Sequence, residues 1–483
     1  MTFDDALQYL YAIAPPFHQV GAVAYKPGLE TMRRLMAELR CQTSDVRSQM
    51  SDVRSQTPII HVAGTNGKGS TSHLIASALA ASGLKVGLYT SPHLVSFCER
   101  VRVIEPMANG KEPKAIPHLI PEAYVADFVE TNKPLFEELH PSFFEITTAM
   151  AFCWLAEQKV DIAVIEVGLG GLLDATNVVT PVLSVITNIG LDHTDLLGHT
   201  LAEIATQKAG IMKPGVPCVI GESHPETTPV FIQRAEECGI LAEGLETTDC
   251  RLWFADQCEF LRRQRLCFAP NCELHGDYQQ KNMQTAYVAL KAIGNQYSVF
   301  SIQKSVFRSQ ISDISNQAIA EGFANVVTYT GLRGRWETLC EHPLTICDTG
   351  HNSHGIATYV EQLKEIRSQK SEVCTALPIE RNQKSEINNC TLHIVFGMVA
   401  DKDIDDVLLL LPADAIYYFT QPNSHRAFPA HELLAKWRAI HPESKANAFS
   451  SVAEALQAVR AKATPDDVIF IGGSNYVVGE AIK

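Results

Sequence analysis

Residues 58–71 restrict the fold of this chain more than any other segment. An apolar run from Pro58 to Val62 reads as a buried strand, and it passes through closely spaced glycines into Lys68 and a helical pattern. Glycines let backbone N–H groups converge on phosphate oxygens, a helix starting near Gly67 directs its positive end at them, and a lysine adds a mobile cation. The pattern therefore predicts a strand, loop and helix that bind a nucleotide triphosphate, through Gly64, Thr65, Asn66, Gly67, Lys68, Gly69 and Ser70.

The spacing of this loop differs from that of a strict Walker loop. The strict motif places four residues between its first glycine and the Gly-Lys pair and puts Ser or Thr directly after the lysine. Here Gly64 and Gly67 are closer together, and Gly69 follows Lys68. We therefore expect a magnesium-binding hydroxyl to come from another segment. The alternative interpretation is a plain glycine turn between a strand and a helix.

Composition and charge exclude several classes of protein. The chain has 483 residues, which suggests two or three domains, and 46% hydrophobic against 19% charged residues, which is typical of globular proteins. A net charge of -14 indicates no affinity for nucleic acid. No apolar stretch is long enough to cross a bilayer, and the N-terminus lacks a signal-peptide pattern. Thirteen cysteines without a Cys-x-x-Cys pair argue against disulfides and structural zinc. We expect a cytoplasmic monomer with no membrane or nucleic-acid partner.

Apolar runs that alternate with helical patterns predict an α/β fold. The first part of the chain reads as a P-loop ATPase domain with a doubly wound, mainly parallel sheet, and the last part as a smaller, Rossmann-like α/β domain. Turn-forming residues at 328–335 place the boundary between domains 1–330 and 331–483. Short alternation over 251–274 predicts a small antiparallel patch, and 278–293 reads as a helix. Polar insertions at about 43–57, which contains a tandem duplication, and at about 367–390 are expected outside the fold.

Polar residues follow three of the predicted parallel strands. Ser91 follows the strand ending at Tyr89, Glu166 ends the next, and His193 follows a third. Because the carboxyl ends of parallel strands meet at one edge of a sheet, a hydroxyl, a carboxylate and an imidazole there predict a magnesium site beside the phosphates. Taken singly, these residues are typical of a turn, a helix cap or ion pair, and a hydrogen-bonded loop. The glycine-rich segment 168–177 opens no clean helix, so a dinucleotide fingerprint is set aside.

A longer series of motifs resembles the folylpolyglutamate synthase and dihydrofolate synthase family, which belongs to the Mur-ligase superfamily of ATP-dependent carboxylate–amine ligases. The resemblance covers nearly the whole chain outside the two insertions. It rests on GTNGKGS (64–70), TSPH (90–93), SFFE (142–145), EVGLGGLLDATN (166–177), NIGLDH (188–193), QKAGI (207–211), GDYQQKN (276–282), GRWE (334–337), DTGHN (348–352) and DKD (401–403).

The resemblance implies roles for individual residues. It implies that the phosphate loop binds ATP and that two magnesium ions are held by Ser91, Glu166, His193 and Lys208, with Lys208 carboxylated on its side-chain nitrogen. Nucleotide contacts are implied for Asn282, Arg335 and Asp348, pterin contacts for Leu173, Asp174 and Ala175, with Phe144 nearby, and glutamate contacts for His351 and Ser474. The residue patterns alone allow a core role for Phe144 and a helix N-cap for Ser474.

The implied activity is an ATP- and magnesium-dependent ligase of folate biosynthesis. It would add L-glutamate to dihydropteroate, to tetrahydrofolate or to both, through an acyl phosphate, with Lys68, Lys208, His193 and Arg335 as catalytic residues. Three alternatives stay open: a cell-wall Mur ligase, although the phosphate loop comes early for an added uridine-diphosphate domain; an unrelated P-loop NTPase; and a non-catalytic nucleotide-binding module.

Overall fold

The chain divides into two compact units. The first comprises Met1–Glu273 and Gln279–Leu332, and the second comprises Leu274–Tyr278 and Arg333–Lys483. The computed structural model describes residues 1–16, 21, 26, 28–42, 57–107, 114–242, 250–258, 271–299, 314–376, 390–400 and 404–483. Of the predicted insertion at 43–57, only residue 57 is therefore described, and the DKD motif at 401–403 lies entirely outside the described residues.

A nine-stranded sheet forms the centre of unit 1. Its strands are β1 Ile59–Ala63, β2 Val86–Tyr89, β3 Val101–Pro106, β4 Ala115–Leu119, β5 Ile162–Glu166, β6 Leu183–Ile186, β7 Cys218–Ile220, β8 Leu241–Ala242 and β9 Cys250–Phe254, in the order β4-β3-β2-β5-β1-β6-β7-β9-β8. The pairs β2–β3 and β3–β4 are antiparallel, and all other pairs are parallel. Since β2, β5, β1 and β6 are adjacent and parallel, the residues that follow them meet at one edge.

The helices of unit 1 enclose this sheet. They are α1 Phe3–Ile13, α2 Glu30–Gln42, α3 Lys68–Ala81, α4 Glu122–Leu139, α5 Phe143–Glu157, α6 Thr194–Leu197, α7 Leu201–Ala209, α8 Thr228–Glu237, α9 Gln279–Val299, α10 Asn316–Ala324 and α11 Val326–Thr330. Helix α3 is buried from Ser70 to Ala80 because it packs against the sheet and against α9 and α10. Its small residues allow close packing, and Ser77 donates a hydrogen bond of 2.6 Å to the carbonyl of Gly322 in α10.

Unit 2 has a six-stranded sheet of its own. Its strands are β10 Glu337–Glu341, β11 Leu344–Cys347, β12 Leu392–Phe396, β13 Ile416–Thr420, β14 Ala446–Phe449 and β15 Val468–Gly472, in the order β10-β11-β15-β12-β13-β14. Only the pair β10–β11 is antiparallel among these strands. Its helices are α12 Ser353–Ala376, α13 Ile404–Leu410, α14 Ala430–Ile440, α15 Val452–Lys462 and α16 Asn475–Ile482. None of the helices in the described part of the chain is long and apolar enough to cross a membrane.

The α/β class and the mainly parallel sheet predicted from the sequence are confirmed, but the antiparallel patch was wrongly placed. Strand β9 pairs in parallel with β7, and the antiparallel strands are β3 and β4. The alternation that suggested an antiparallel strand arises because β9 lies next to the edge strand, with Arg251 and Trp253 half-buried and Leu252 and Phe254 buried. Residues 259–270 of the predicted patch lie outside the described residues.

The second insertion was also partly misread, because α12 continues through residues 367–376. Residues such as Arg367, Gln369 and Glu372 are good helix formers, and the helix ends at Ala376, two residues before Pro378. The remaining residues of the insertion, 377–389, lie outside the described residues. A polar composition therefore did not separate a helix from a loop.

The close packing of α3 against α10 makes Gly322 sensitive to substitution. A Cβ atom at Gly322 would lie 2.4 Å from the Cα atom of Ala78, which is backbone and cannot swing aside. We expect Gly322→Ala to lower the free energy of unfolding by about 1–3 kcal/mol, as overpacked cores do, despite the better helix propensity of alanine. Chemical denaturation measures the change. Ala320→Ser, at an exposed position of the same helix, is the control and should change stability by less than about 0.5 kcal/mol; equal effects of both substitutions would contradict the close packing.

Candidate functional site

Two glycines give the phosphate loop a backbone path that no other residue would fit. Gly64 follows β1 with a φ of +148°, and Gly67 precedes α3 with a φ of +82°. A Cβ atom would lie 1.8 Å from Oγ1 of Thr187 at the first position and 2.2 Å from Oδ1 of Asn282 at the second. The glycine spacing therefore reflects close approach of two side chains as well as backbone conformation.

The segment that follows β6 locks this loop in place. The Thr65 amide donates to the carbonyl of Asn188 at 2.9 Å, and the Asn66 amide donates to Oδ1 of the same residue at 2.8 Å. The Thr187 hydroxyl donates to the Asn66 carbonyl at 2.6 Å, and the Gly190 amide donates to Oγ1 of Thr65 at 3.0 Å. Because neighbouring strands carry both segments, these bonds fix the path of the loop relative to the sheet.

The first turn of α3 is open to an anion. Gly67 is its N-cap and makes no side-chain capping bond, so the first backbone N–H groups of the helix receive no side-chain cap. The Lys68 ammonium lies over the loop and donates to the carbonyls of Gly64, at 2.9 Å, and Thr65, at 3.1 Å. First-turn amides without a side-chain cap, the helix dipole and a cation at one point are the features that bind phosphate in proteins.

Lys208, in the last turn of α7, reaches the same loop. Its Nζ donates to the carbonyl of Gly64 at 3.0 Å, so two lysine amines converge on one oxygen. Lys208 is buried, and burial together with the charge of Lys68 lowers its pKa from 10.5 to about 7, although Asp192 and Asp174 oppose the shift. A substantial fraction of this amine is therefore neutral near neutral pH.

The predicted magnesium residues of β2 and β5 lie together. The Ser91 amide donates to Oε2 of Glu166 at 2.9 Å, and this glutamate is buried at the end of its strand. His193 precedes α6 with a φ of +50°, and its Nε2 lies 3.9 Å from Oδ1 of Asp192. The predicted hydroxyl and carboxylate are thus brought together, and the predicted imidazole lies in the segment that follows β6, a strand of the same sheet. Hydroxyl and carboxylate oxygens suit magnesium.

The predicted metal ligands do not form a cluster of three His, Cys, Asp or Glu side chains. In the described parts of the chain, no three His, Cys, Asp or Glu side chains are grouped so as to hold a metal ion. Two of the predicted ligands, Ser91 and Lys208, are outside those residue types. The residues fit a metal that takes few protein ligands and keeps waters or phosphate oxygens in its shell, as magnesium does.

The glycine-rich segment after β5 packs around two aromatic rings. Phe144 stacks on Tyr89 with ring centroids 6.0 Å apart, and a Cβ atom at Gly168 would lie 2.4 Å from Cζ of Phe144. The Tyr89 hydroxyl lies 3.1 Å from Oγ1 of Thr147, and Phe144 itself is only partly buried. The stacked rings of Phe144 and Tyr89 lie against the segment that follows β5, and both rings also belong to the hydrophobic core of unit 1.

The three predicted pterin residues differ in what they offer a ligand. Leu173 is 36% exposed, whereas Ala175 is 7% and Asp174 is 4% exposed. The Asp174 carboxylate accepts hydrogen bonds from the amides of Leu169, at 2.9 Å, and Thr176, at 3.0 Å, and from the Thr176 hydroxyl. Burial raises the pKa of Asp174, although these bonds oppose the rise. In this structure the carboxylate holds its own loop in shape.

In unit 2, Asp348 lies at the end of β11 and organises the residues around it. Its Oδ2 accepts hydrogen bonds from the Tyr278 hydroxyl at 2.5 Å and the Trp336 amide at 2.8 Å, and its Oδ1 accepts one from the Gly350 amide at 2.7 Å. Burial raises the pKa of Asp348, while the Tyr278 bond and the charge of nearby Arg335 oppose the rise. Asp348 and Arg335 are therefore brought close together within this unit.

The two predicted glutamate contacts lie in short turns of unit 2. His351 Nδ1 lies 3.0 Å from the carbonyl of Thr349, which fixes the ring. Ser474 is buried and is the N-cap of α16, with its hydroxyl accepting from the Val477 amide at 3.3 Å. The N-cap interpretation of Ser474 is thus observed, and the hydroxyl proton is not needed for that bond.

Sequence reasoning missed the residues that hold the site residues in place. Thr187 and Asn188 support the phosphate loop, Gln279 bonds to Ser70, and Tyr278 bonds to Asp348. These residues are ordinary polar types in the sequence. The signal was that Asn188, Tyr278 and Gln279 lie inside the NIGLDH and GDYQQKN motifs and that Thr187 directly precedes the first of them. Their partners are distant in sequence, so spacing alone could not pair them.

Comparison with known proteins gives the following matches. The family described as "Mur ligase, glutamate ligase domain" matches residues 375–475. The folylpolyglutamate synthase of Lacticaseibacillus casei is 31% identical over 444 residues, covering 86% of this chain and 87% of the relative. The dihydrofolate synthase/folylpolyglutamate synthase of Escherichia coli strain K12 is 32% identical over 433 residues, covering 88% and 86%.

Solved structures show the same similarity over the full chain. E. coli FolC in complex with DHPP and ADP superposes with a TM-score of 0.69 at 28% identity, covering 100% of this chain and 97% of that one. A bifunctional folylpolyglutamate synthase/dihydrofolate synthase with Mn, AMPPNP and L-glutamate bound gives a TM-score of 0.70 at 26% identity, with the same coverage.

The buried amine of Lys208 has a consequence for stability. Its pKa falls from 10.5 to about 7 on folding, so between those values the unfolded chain binds more protons and the stability of the protein rises with pH. Lys208→Met removes this dependence. We expect the variant, stripped of metal and kept free of carbon dioxide, to unfold at a higher temperature than the parent, and by more at about pH 7 than at about pH 9.5.

The control is Lys364→Met, at an exposed position of α12, which should leave both the unfolding temperature and its pH dependence unchanged. A Lys208→Met variant whose unfolding follows pH as the parent's does would show that the amine is not desolvated.

Proposed function

Because the chain belongs to the folylpolyglutamate synthase and dihydrofolate synthase family, we propose that it joins L-glutamate to the carboxylate of dihydropteroate, tetrahydrofolate or both, using ATP and a divalent metal. The single observation that carries the proposal is the convergence of Lys68 and Lys208 on the carbonyl of Gly64, beside the uncapped start of α3. It supports the proposal because the Lys68 cation and the amides of the first helical turn would offset the charge of a triphosphate, with Lys208 close enough to take part.

Electrostatic repulsion is the barrier that the site has to lower. A carboxylate and a γ-phosphoryl group are both anions, so the phosphate oxygens must be neutralised before the carboxylate can attack. In our proposal Lys68 and the amides of Gly67, Lys68, Gly69 and Ser70 bind the phosphates, and Gly64, Thr65 and Asn66 shape the loop. Asn282, Arg335 and Asp348 complete the nucleotide contacts.

The metal is proposed to be magnesium, with two ions held by Ser91, Glu166, His193 and Lys208. Magnesium supplies positive charge that lowers repulsion between the reacting anions. The hydrogen bond between the Ser91 amide and Glu166 supports this assignment because it holds the hydroxyl-bearing residue beside the carboxylate. Asp192 lies next to His193 and within electrostatic reach of Lys208.

Lys208 is proposed to be carboxylated on Nζ. Its neutral amine attacks the carbon of carbon dioxide, an N–C bond forms, and the nitrogen loses a proton to give a carbamate. A pKa of about 7 supports this step, since only the neutral amine is nucleophilic. The product replaces a second cation beside Lys68 with an anion, which would relieve the repulsion between the two lysines and provide oxygen ligands.

The proposed reaction has two steps. The substrate carboxylate attacks the γ-phosphorus, the bond to the bridging oxygen breaks, and ADP leaves with an acyl phosphate formed. The neutral α-amino group of glutamate then attacks the acyl carbon, phosphate leaves, and the nitrogen loses a proton to give the amide. We assign glutamate binding to His351 and Ser474 and pterin binding to Phe144, Leu173, Asp174 and Ala175.

The alternatives have less support. Both relatives named above carry folate-enzyme names, which speaks against a cell-wall Mur ligase. An unrelated P-loop NTPase would explain Lys68 but not the hydrogen-bonded pair of Ser91 and Glu166 or the Asp348 cluster. We further propose a cytoplasmic monomer without nucleic-acid or membrane partners. Cys98, Cys218, Cys238, Cys340 and Cys347 are free thiols, which is compatible with a reducing compartment.

The direct test incubates the protein with ATP, magnesium and L-glutamate, adding dihydropteroate in one reaction and tetrahydrofolate in another. We expect at least one reaction to release ADP and to give a product heavier by one glutamyl residue, measured by mass spectrometry. Omitting glutamate should suppress the amide product. Absence of product in both reactions would overturn the proposal, and glutamate-independent ADP release would favour an NTPase.

Lys68→Ala should abolish ATP-dependent amide formation because it removes the cation that offsets phosphate charge during attack. Product formation is measured at saturating substrates, and circular dichroism checks that the fold is retained. Lys364→Ala, at an exposed site of unit 2, serves as the control with parental activity. Undiminished turnover of Lys68→Ala would contradict its role.

Lys208→Ala should also lose activity, because the carbamate oxygens are missing. Small carboxylates added to the reaction should restore part of the rate by occupying the vacated space, and they should not restore Lys68→Ala. Mass spectrometry of the active parent protein, kept under carbon dioxide, checks the modification. An unmodified Lys208 in fully active protein would rule out carboxylation.

A further inference from the structure

Gln279, the first residue of α9, is completely buried and joins two residues of the nucleotide site. Its Nε2 donates to the hydroxyl oxygen of Ser70 at 3.2 Å, and its Oε1 accepts from Nδ2 of Asn282 at 2.8 Å. Both ends of the amide are therefore satisfied inside unit 1. None of the roles assigned above to individual residues includes Gln279.

The direction of the bond to Ser70 decides what that hydroxyl can do. A serine hydroxyl has one proton and two lone pairs. Because Gln279 donates, the bond uses a lone pair of Ser70 and leaves its proton available. The structure shows no other hydrogen bond of this hydroxyl among the described residues. Ser70 belongs to the open first turn of α3, so its proton adds a donor to the amides there.

The bond to Asn282 fixes the other side of the loop. With Nδ2 held by Gln279, Oδ1 of Asn282 lies against Gly67, where an added Cβ atom would be only 2.2 Å away. The same amide thus orients Ser70, inside the helix that follows the loop, and Asn282, which packs against the loop itself. A free rotation of either side chain would require breaking a buried bond.

We propose that Gln279 is a positioning residue for nucleotide binding: it holds the Ser70 hydroxyl with its proton directed to a phosphate oxygen and holds Asn282 against Gly67. The inference rests on the proposed function, since it requires a nucleotide in this loop. The proposal requires that residue 279 donate a hydrogen bond to Ser70, because an acceptor at this position would take the Ser70 proton away from the phosphate.

The test is Gln279→Glu, which keeps the size of the side chain and changes its polarity. A carboxylate accepts from Asn282 as before, but it also accepts from the Ser70 hydroxyl and adds negative charge near the phosphates. We expect the Kd for ADP and for a non-hydrolysable ATP analogue, measured by calorimetry with magnesium, to rise about 10-fold or more. The KM for ATP should rise in parallel, and the KM for the folate substrate should change less than about 2-fold.

Two further variants separate polarity from packing. Gln279→Met removes both hydrogen bonds without adding charge or taking the Ser70 proton, so its nucleotide Kd should lie between those of the parent and Gln279→Glu. Gln284→Glu makes the same chemical change five residues on in α9, where the amide donates to the carbonyl of Ala255, and should leave the nucleotide Kd unchanged. Equal losses in Gln279→Met and Gln279→Glu would indicate a packing role and overturn the proposal.

A double-mutant cycle with Ser70→Ala distinguishes failure of this inference from failure of the proposed function. If Gln279 acts through Ser70, Gln279→Glu should weaken nucleotide binding much less in the Ser70→Ala background than in the parent. Additive effects would overturn the positioning role. A Ser70→Ala variant that binds nucleotide as tightly as the parent would also overturn it, whereas a parent protein that binds no nucleotide would count against the phosphate-loop assignment itself.

Discussion

The central constraint in this protein is the accumulation of positive charge around one backbone carbonyl. Lys68 and Lys208 both donate to Gly64, and the helix that begins at Lys68 adds its uncapped amides. The chain has a net charge of -14, so positive charge at this site cannot come from an overall excess of basic residues. It comes from the particular residues that the fold brings together there. Burial of Lys208, followed by the charge of the partly buried Lys68, lowers the pKa of the Lys208 amine, and the site is suited to receive anions.

Buried carboxylates maintain the shape of loops within each of the two units. Glu166 accepts from the Ser91 amide, Asp174 accepts from its own glycine-rich turn, and Asp348 accepts from two amides and a tyrosine hydroxyl. Each carboxylate ends a strand or caps a turn, so backbone N–H groups offset its desolvation. The same residues that a motif search associates with ligands are thus also responsible for the conformation of the segments that carry them.

Local sequence signals predicted much of this architecture because they depend on neighbouring residues. Glycines and an apolar run located the phosphate loop, and continuous apolar runs located the central parallel strands to within one or two residues. The antiparallel strand β3 was missed because its alternation includes Arg102, which looks solvent-exposed in the sequence but is 5% exposed and bonds to His73 at 3.0 Å. Pairings such as Gln279 with Ser70 join residues more than two hundred positions apart, so they follow from the fold and not from spacing.

The chain crosses between its two units at Glu273–Leu274, Tyr278–Gln279 and Leu332–Arg333. The smaller unit is therefore discontinuous: it borrows five residues from the middle of the larger one, and one of them, Tyr278, supplies a hydroxyl to Asp348. A fragment starting at Arg333 would lack that hydroxyl and leave a buried carboxylate short of a donor, so simple truncation cannot reproduce the smaller unit intact. Tyr278 and Gln279 are adjacent in the chain while their side chains bond within different units, so one peptide bond joins a residue of the Asp348 cluster to a residue that bonds to Ser70.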